Sequence, residues 1–212
     1  MLRAGRIRDI EALQPGLVLA VDIGFAGSRK RSCGLASNNK DHPSLHLTFE
    51  NAVQAVANLL RNVKAATLIL ESPLSYVFDA RGNPAGRLAV ERIAPNAPRY
   101  WYFGAGAVTS LAAAFFLRRL IELAPRTLSA RSLRVTIFEG FVSYYADGRI
   151  GHREVAERLV HGFVRFPEAS EVLEIATPYG GRSLTVFELL DYSGVRGSPA
   201  VVIPHGFVPR PE

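Results

Sequence analysis

Three apolar segments that each end in a carboxylate constrain this sequence most. Residues 17–22 read Leu-Val-Leu-Ala-Val-Asp, residues 66–71 read Ala-Thr-Leu-Ile-Leu-Glu, and residues 133–139 read Leu-Arg-Val-Thr-Ile-Phe-Glu. Continuous apolar runs of this length are typical of strands that are buried on both faces of a sheet. The carboxyl ends of parallel strands lie along one edge, so Asp22, Glu71 and Glu139 are predicted to converge there.

The rest of the pattern predicts one α/β domain over residues 1–212. Short strands at 32–37 and 45–49 follow the first run as an antiparallel meander, and residues 72–103 form a long irregular segment. Strands that alternate with helices after a meander indicate a mixed sheet with helices on its faces. Helices are predicted at 50–63, 104–123, 151–163 and 183–192, and a last strand at 199–204.

Composition narrows the class of protein and its partners. The chain has 212 residues, 48% of them hydrophobic, and a single Cys, which excludes a disordered chain and a disulfide-stapled one. A chain of this size buries a full core without a structural metal. The net charge of +6 favours a polyanionic partner such as DNA or RNA, although the 22 Arg against 3 Lys are equally explained by genome composition.

Neither membrane insertion nor secretion is expected. The most apolar helical stretch, 105–117, is shorter than the roughly 20 residues that cross a bilayer. The N-terminal segment lacks the small-residue cleavage pattern of a signal peptide. We therefore expect a cytoplasmic protein, with a homodimer or a protein partner left open.

Three converging carboxylates would repel one another strongly unless a cation neutralises them. Oxygen ligands alone suit Mg²⁺ or Mn²⁺, and such an ion activates water and stabilises a leaving oxygen in phosphodiester hydrolysis. Taken singly, each of these acidic residues is more simply a solvated residue at the end of a strand. The shared pattern favours a metal site, because an acidic group beside buried positions needs a partner.

The same motifs resemble a known family. The strings Leu-Ala-Val-Asp-Ile-Gly-Phe-Ala-Gly at 19–27, Leu-Glu-Ser-Pro-Leu-Ser at 70–75 and Val-Thr-Ile-Phe-Glu at 135–139, with Ser-Cys-Gly-Leu-Ala at 32–36, Arg87 and Glu91-Arg92, are similar to the ribonuclease H-like superfamily and within it to the DUF429 family of predicted nucleases. The resemblance implies a five-stranded ribonuclease H-like sheet, with three antiparallel strands followed by parallel ones, and a two-metal site that includes Asp22, Glu71 and Glu139.

One position departs from the family pattern. The family has a further aspartate at the start of the helix that precedes the final strand, and the best-matching position here is Ser183. Glu188 or Asp191, one or two turns later, is the available substitute, and we assign Asp191 to the predicted metal site. A missing ligand implies either one metal instead of two or a degenerate site that is kept for binding.

Basic and glycine residues supply candidates for substrate binding. Arg29 and Lys30 follow the first strand beside Gly24 and Gly27, whose small size would let the backbone approach a phosphate, although a tight turn explains them equally well. Arg87 and Arg92 are predicted to contact a phosphate or to flank the metal site, or else to form an ordinary surface ion pair.

Aromatic and histidine residues are weaker candidates. Tyr100 to Phe103 are four consecutive aromatic residues that would either stack on a nucleic-acid base or close the edge of the core. His152, His161 and His205 lack the spacing of metal ligands, and surface positions are expected for all three.

The sequence therefore predicts a metal-dependent nuclease that uses Mg²⁺ or Mn²⁺ held by carboxylates. The alternative is a catalytically degenerate ribonuclease H-like module that binds nucleic acid or a protein. Neither the choice between DNA and RNA nor the presence of activity follows from the residues alone.

Overall fold

A mixed β-sheet with helices on both faces forms the centre of the protein in a computed structural model. The model describes residues 2–14, 16–24, 32–88, 91–94, 97–98, 104–123, 133–142, 150–177, 180–190 and 197–205, with backbone only at 92–94 and 97–98. The strands are β1 (Leu2–Ala4), β2 (Leu17–Ile23), β3 (Cys33–Ser37), β4 (Leu45–Leu47), β5 (Ala65–Glu71), β6 (Ser75–Phe78), β7 (Pro84–Ala85), β8 (Arg92–Ala94), β9 (Ala97–Pro98), β10 (Arg134–Gly140), β11 (Ser170–Leu173), β12 (Arg182–Thr185) and β13 (Val201–Pro204). The helices are α1 (Ile10–Leu13), α2 (Phe49–Leu60), α3 (Ala105–Leu123), α4 (His152–Val164) and α5 (Val186–Leu189), with a 3₁₀ turn at Ile7–Asp9.

The main sheet has the strand order β11-β13-β10-β5-β2-β3-β4, and β1 pairs with β10. Strands β2, β3 and β4 form an antiparallel meander, whereas β2, β5, β10 and β13 run parallel to one another. The apolar runs identified in the sequence are the central strands β2, β5 and β10. The prediction of an α/β fold with a mixed sheet is therefore confirmed.

Alternating side chains divide the core into two layers. One face of the sheet packs against α2, α3 and α5, and the other packs against α1 and α4. In β2, for example, Leu19 and Val21 face the first layer, whereas Val18 and Ala20 face the second. A period of two along each strand produces this division, because successive side chains point to opposite faces.

Three expectations about the fold differ from the structure. Among the residues that the structure describes, the main sheet has eight strands instead of five, because β1, β11 and β13 extend it beyond β10. The segment 72–103 contains β6 to β9, and β6 lies between β12 and β7 in a small second sheet. The helix expected at 183–192 begins as strand β12, since Arg182 to Thr185 pair with β6 before the short helix α5. Tertiary pairing overrides the local helical pattern there.

None of the helices in the described part of the chain combines the length and apolar composition that crossing a bilayer requires.

Helix α4 lies unusually close to the sheet at Gly34 of β3. A Cβ atom at this position would lie 1.8 Å from the backbone oxygen of His152 and 2.6 Å from the backbone nitrogen of Arg153. Backbone atoms cannot move aside as a flexible side chain can, so only glycine lets the start of α4 rest on β3.

We expect Gly34→Ala to lower the free energy of unfolding by about 1–3 kcal/mol or more, because the added methyl group overpacks the contact between α4 and the sheet. Urea denaturation followed by circular dichroism measures the change. Gly151→Ser is the matched control, since no atom lies within 4 Å of a Cβ at that N-cap position of α4 and serine is a favoured N-cap residue. Equal stability of the two variants would contradict the assigned contact.

Candidate active site

Two acidic side chains lie side by side at the carboxyl ends of the central parallel strands. Asp22 of β2 is in register with Glu71 of β5, so the two carboxylates share one face of the sheet. Each side chain is almost completely buried, and the interaction with Glu71 opposes the rise that burial causes in the pKa of Asp22. Two adjacent buried carboxylates repel each other, so the pair is an anionic site that positive charge would stabilise.

This pair belongs to a straight row of residues across the sheet. Gly34 of β3 is in register with Asp22, and His46 of β4 is in register with Gly34. On the other side, Gly140 of β10 is in register with Glu71. Residues in register on neighbouring strands point to the same face, which here is the face that α4 covers.

The first residue of α4 completes the site. Nδ1 of His152 lies 2.8 Å from Oδ2 of Asp22, although the two residues are 130 positions apart. The His152 side chain remains 39% exposed, whereas that of Asp22 is 7% exposed. The His46 and His152 rings lie near each other, with centroids 6.0 Å apart.

Glycines make room for His152 against the sheet. A Cβ at Gly24 would lie 2.5 Å from Nε2 of His152 and 2.3 Å from the backbone oxygen of Ser32. Together with Gly34, which accommodates the His152 backbone, Gly24 lets the imidazole reach Asp22. These contacts give a structural reason for Gly24 besides the phosphate approach or tight turn expected from the sequence.

Burial and hydrogen bonding shift the pKa values of the Asp22–His152 pair. Burial raises the pKa of Asp22, and the hydrogen bond and charge of His152 oppose that rise. The hydrogen bond to Asp22 raises the pKa of His152 above its ordinary value of 6.5, against the effect of burial. The arrangement therefore favours an imidazolium next to a carboxylate.

Glu139 does not join Asp22 and Glu71. Its neighbour Gly140 is the residue of β10 in register with Glu71, so Glu139 points to the opposite face of the sheet. There the side chain is fully buried, and Arg87 donates hydrogen bonds from both terminal nitrogens to its two carboxylate oxygens. The backbone N–H of Leu74 donates a further hydrogen bond of 2.7 Å. Of the four predicted metal ligands, Asp22 and Glu71 are therefore adjacent, whereas Glu139 lies on the opposite face of the sheet.

Arg87 is a buried residue of the core on that opposite face. Its Nη2 donates to Oε1 of Glu91 at 2.6 Å, and its Nη1 donates to Oγ of Ser75 at 3.0 Å. Neither the Arg87 side chain nor those of its two carboxylate partners is exposed. With its donors used in this way, Arg87 is an internal counter-charge, whereas the sequence allowed a phosphate contact or a surface ion pair.

The other predicted residues of the site are dispersed or not described. Asp191, Arg29, Lys30 and Gly27, like the aromatic run at 100–103, lie outside the residues that the structure describes. Arg92 lies in β8, where it pairs with Pro98 of β9.

Of the positions considered for the missing aspartate, Ser183 lies in the small second sheet and Glu188 in the helix that follows it. Ser183 pairs with Val77 of β6. Glu188 accepts hydrogen bonds from the backbone N–H and the hydroxyl of Thr185, and so caps α5. Both belong to the segment that begins as β12, away from the row of β2 and β5.

The sequence did not identify the role of His152, which is partly exposed and contacts Asp22. Only indirect signals in the sequence point to it. The glycines at 24 and 34 flank the turn after β2 and fit a close approach by another element, but the sequence does not indicate which element approaches. His205, by contrast, is exposed, and the buried Cys33 packs in the core.

Neither a ready-made metal cluster nor a known relative identifies the site. In the described ranges of the chain, no three or more His, Cys, Asp or Glu side chains are grouped so as to hold a metal ion. No protein-family profile, curated protein or solved structure matches the chain. The function of the protein is therefore inferred from the geometry of the site itself.

The buried charges around Glu139 predict a large effect on stability. Arg87→Met removes the cation from two buried carboxylates, and we expect it to lower the free energy of unfolding by about 3–5 kcal/mol. Arg118→Met is the control, because Arg118 is 70% exposed in its pair with Glu122 and such pairs contribute about 0–1 kcal/mol. Denaturant titration measures both, and similar losses in the two variants would show that Arg87 is not an internal counter-charge.

The Asp22–His152 pair predicts a pH dependence. In protein freed of metal with EDTA, NMR titration of the His152 imidazole should give a pKa above 6.5. In Asp22→Asn that pKa should fall to its ordinary value or lower, because the charge is removed and burial, which lowers the pKa, remains. His152→Gln assigns the signal. An unchanged pKa in Asp22→Asn would contradict the pairing.

The raised pKa of His152 determines how the contribution of this residue to stability depends on pH. Folding raises the pKa of His152, so the stabilisation it provides is complete below the unfolded-state value of 6.5 and is lost as the pH rises through the folded-state value. Denaturation at a series of pH values should show this loss in the wild type and a flatter profile over the same window in Asp22→Asn.

Proposed function

We propose that this protein is a metal-dependent phosphodiesterase that acts on nucleic acid, with Asp22 and Glu71 as the carboxylates that hold the ion. The observation that carries the proposal is the in-register pairing of these side chains on one face of the sheet, beside His152. The net charge of +6 favours a polyanionic substrate.

A ribonuclease H-like identity is part of the same proposal. Its support is the order β4-β3-β2-β5-β10 within the main sheet, in which an antiparallel meander is followed by parallel strands. Further support comes from the acidic residues at the ends of β2 and β5, which are the positions that the resemblance assigns to the metal.

The residues of the site fit one divalent ion better than two. Mg²⁺ is commonly held by one or two carboxylates, with water and substrate phosphates completing its coordination. Asp22 and Glu71 supply such a pair, and their burial side by side marks a place where positive charge is needed. Glu139 is engaged by Arg87 on the other face, so we assign it no part in the site. When bound, Mg²⁺ or Mn²⁺ supplies Lewis-acid stabilisation of the charge on the phosphodiester oxygens.

His152 is suited to move the proton of the attacking water. Nδ1 of His152 donates to Oδ2 of Asp22, so Nε2 is a proton acceptor at pH values above the raised pKa of the imidazole, where the ring is neutral. Asp22 thus orients the base through Oδ2 and keeps its other oxygen for the ion. Gly24 and Gly34 hold the ring in place by allowing α4 to approach the sheet.

A binding module without turnover is the rival function. The observation that favours it is the engagement of Glu139 by Arg87, which leaves fewer carboxylates than a two-ion mechanism uses. The two functions differ in what a divalent ion does: cleavage requires it, whereas binding by a degenerate module survives its removal.

The test is cleavage of labelled single-stranded, duplex, hybrid and branched substrates with Mg²⁺, Mn²⁺ or EDTA. We expect metal-dependent cleavage that falls about a hundredfold or more in Asp22→Asn, because several kcal/mol of transition-state stabilisation depend on the ion. Asp41→Asn, an exposed position in the β3–β4 connection, is the control and should cleave normally.

A second readout separates loss of the ion from loss of chemistry. Binding of Mn²⁺, followed by its electron paramagnetic resonance signal, should weaken in Asp22→Asn and in Glu71→Gln but not in Asp41→Asn. Retained cleavage in Asp22→Asn rejects the assignment. EDTA-resistant binding, with no turnover of any substrate, supports the rival.

A further inference from the structure

The row that contains the carboxylate pair continues to an exposed histidine at the edge of the sheet. His46 of β4 is separated from Asp22 only by Gly34, which has no side chain, and all three residues are in register. Strands lie about 4.8 Å apart, so the row from Glu71 to His46 spans three spacings, or about 14 Å. His152 occupies the space over Gly34.

His46 is electrostatically part of the same site. Its ring lies next to that of His152, with centroids 6.0 Å apart. Its charge also contributes to lowering the pKa of Asp22, in the same direction as that of His152. His46 is exposed, and β4 is the last strand of the main sheet among the described residues, so a ligand can reach it from outside.

We propose that His46 binds a phosphodiester group beyond the one that is cleaved, so that a polynucleotide chain runs from the carboxylate pair past the exposed side of His152 to His46. This inference rests on the proposed function, because it assumes that the scissile phosphate lies at Asp22 and Glu71. An imidazole N–H donates to a phosphate oxygen in either protonation state. A separation of about 14 Å between Glu71 and His46 is longer than one phosphate ester needs, which favours a chain over an isolated ester.

His46 acts as a specificity-determining residue in this scheme. It lies away from the carboxylate pair, so its removal should weaken the binding of a chain without altering the chemistry at Asp22. A small diester that occupies only the carboxylate end should not sense the change. The resulting difference between long and short substrates distinguishes a subsite from a structural role.

A nearby histidine supplies a matched control. His42 is also exposed and also lies near the meander, but it lines a cleft with Leu45 and Leu59 next to α2, on the other face of the sheet. The variant His42→Ala removes the same chemical group from the same region of the protein and leaves His46 unchanged.

The experiment measures binding and cleavage with two kinds of ligand. Fluorescence anisotropy follows single-stranded DNA and RNA oligonucleotides of one sequence, and bis(p-nitrophenyl) phosphate serves as the short diester in cleavage assays. We expect His46→Ala to weaken oligonucleotide binding, and to raise its KM, by about three- to tenfold, the worth of one hydrogen bond. Cleavage of the short diester and the kcat for oligonucleotides should stay unchanged.

The variants separate the possible outcomes. His46→Gln, which keeps an N–H donor, should restore part of the binding, whereas His42→Ala should match the wild type. Equal oligonucleotide binding by His46→Ala and the wild type overturns the proposal, as does an equal loss with the short diester. If nothing is cleaved but His46→Ala still weakens binding in EDTA, the phosphodiesterase proposal fails and the His46 subsite stands. Comparison of DNA with RNA then identifies the preferred chain.

Discussion

The in-register pairing of Asp22 with Glu71 is the constraint on which the site depends. Each residue ends a strand that is buried on both faces, and parallel pairing of β2 with β5 leaves their carboxylates adjacent on the α4 face. Burial makes this proximity costly, because two neighbouring anions in a desolvated setting disfavour full ionisation. Positive charge must come from a proton, a histidine or a bound cation. In this site His152 and His46 lie close enough to Asp22 for their charges to oppose the rise in its pKa.

A shift of one residue explains why the third carboxylate is elsewhere. Strands β2, β5 and β10 were predicted within about one residue of their observed bounds, because continuous apolar runs are a strong signal. Each predicted run ends in an acid, yet the acid of β10 is one position out of register with the others. With a period of two, that offset sends Glu139 to the opposite face. Strand register depends on pairing between distant segments, which a single sequence does not record.

The histidines were harder to predict than the strands. Asp22 and His152 form a hydrogen bond because the first residue of α4, His152, packs against Gly34 of β3. This contact joins distant parts of the chain. Local periodicity located α4 within one residue but did not indicate which strand its first turn would meet. Similarly, the helical pattern at 183–192 did not disclose that Arg182 to Thr185 pair with β6. The sequence therefore predicted the layers and the central strands, but not the contacts between them.

The buried carboxylates on the two faces of the sheet are neutralised in different ways. This difference distinguishes a structural group of charges from the candidate active site. On one face Glu139 and Glu91 surround Arg87, a permanent cation whose donors are used and whose side chain water does not reach. On the other, the positive groups near Asp22 are histidine side chains, and His152, whose pKa the hydrogen bond to Asp22 raises, remains partly exposed. A buried guanidinium is a permanent counter-charge that stabilises a closed core. A solvent-accessible histidine such as His152 can lose its proton, and a bound cation can then replace it as the counter-charge. Of these two buried acidic groups in the described part of the chain, the one on the α4 face is therefore the one to which we assign the proposed cation and anionic substrate.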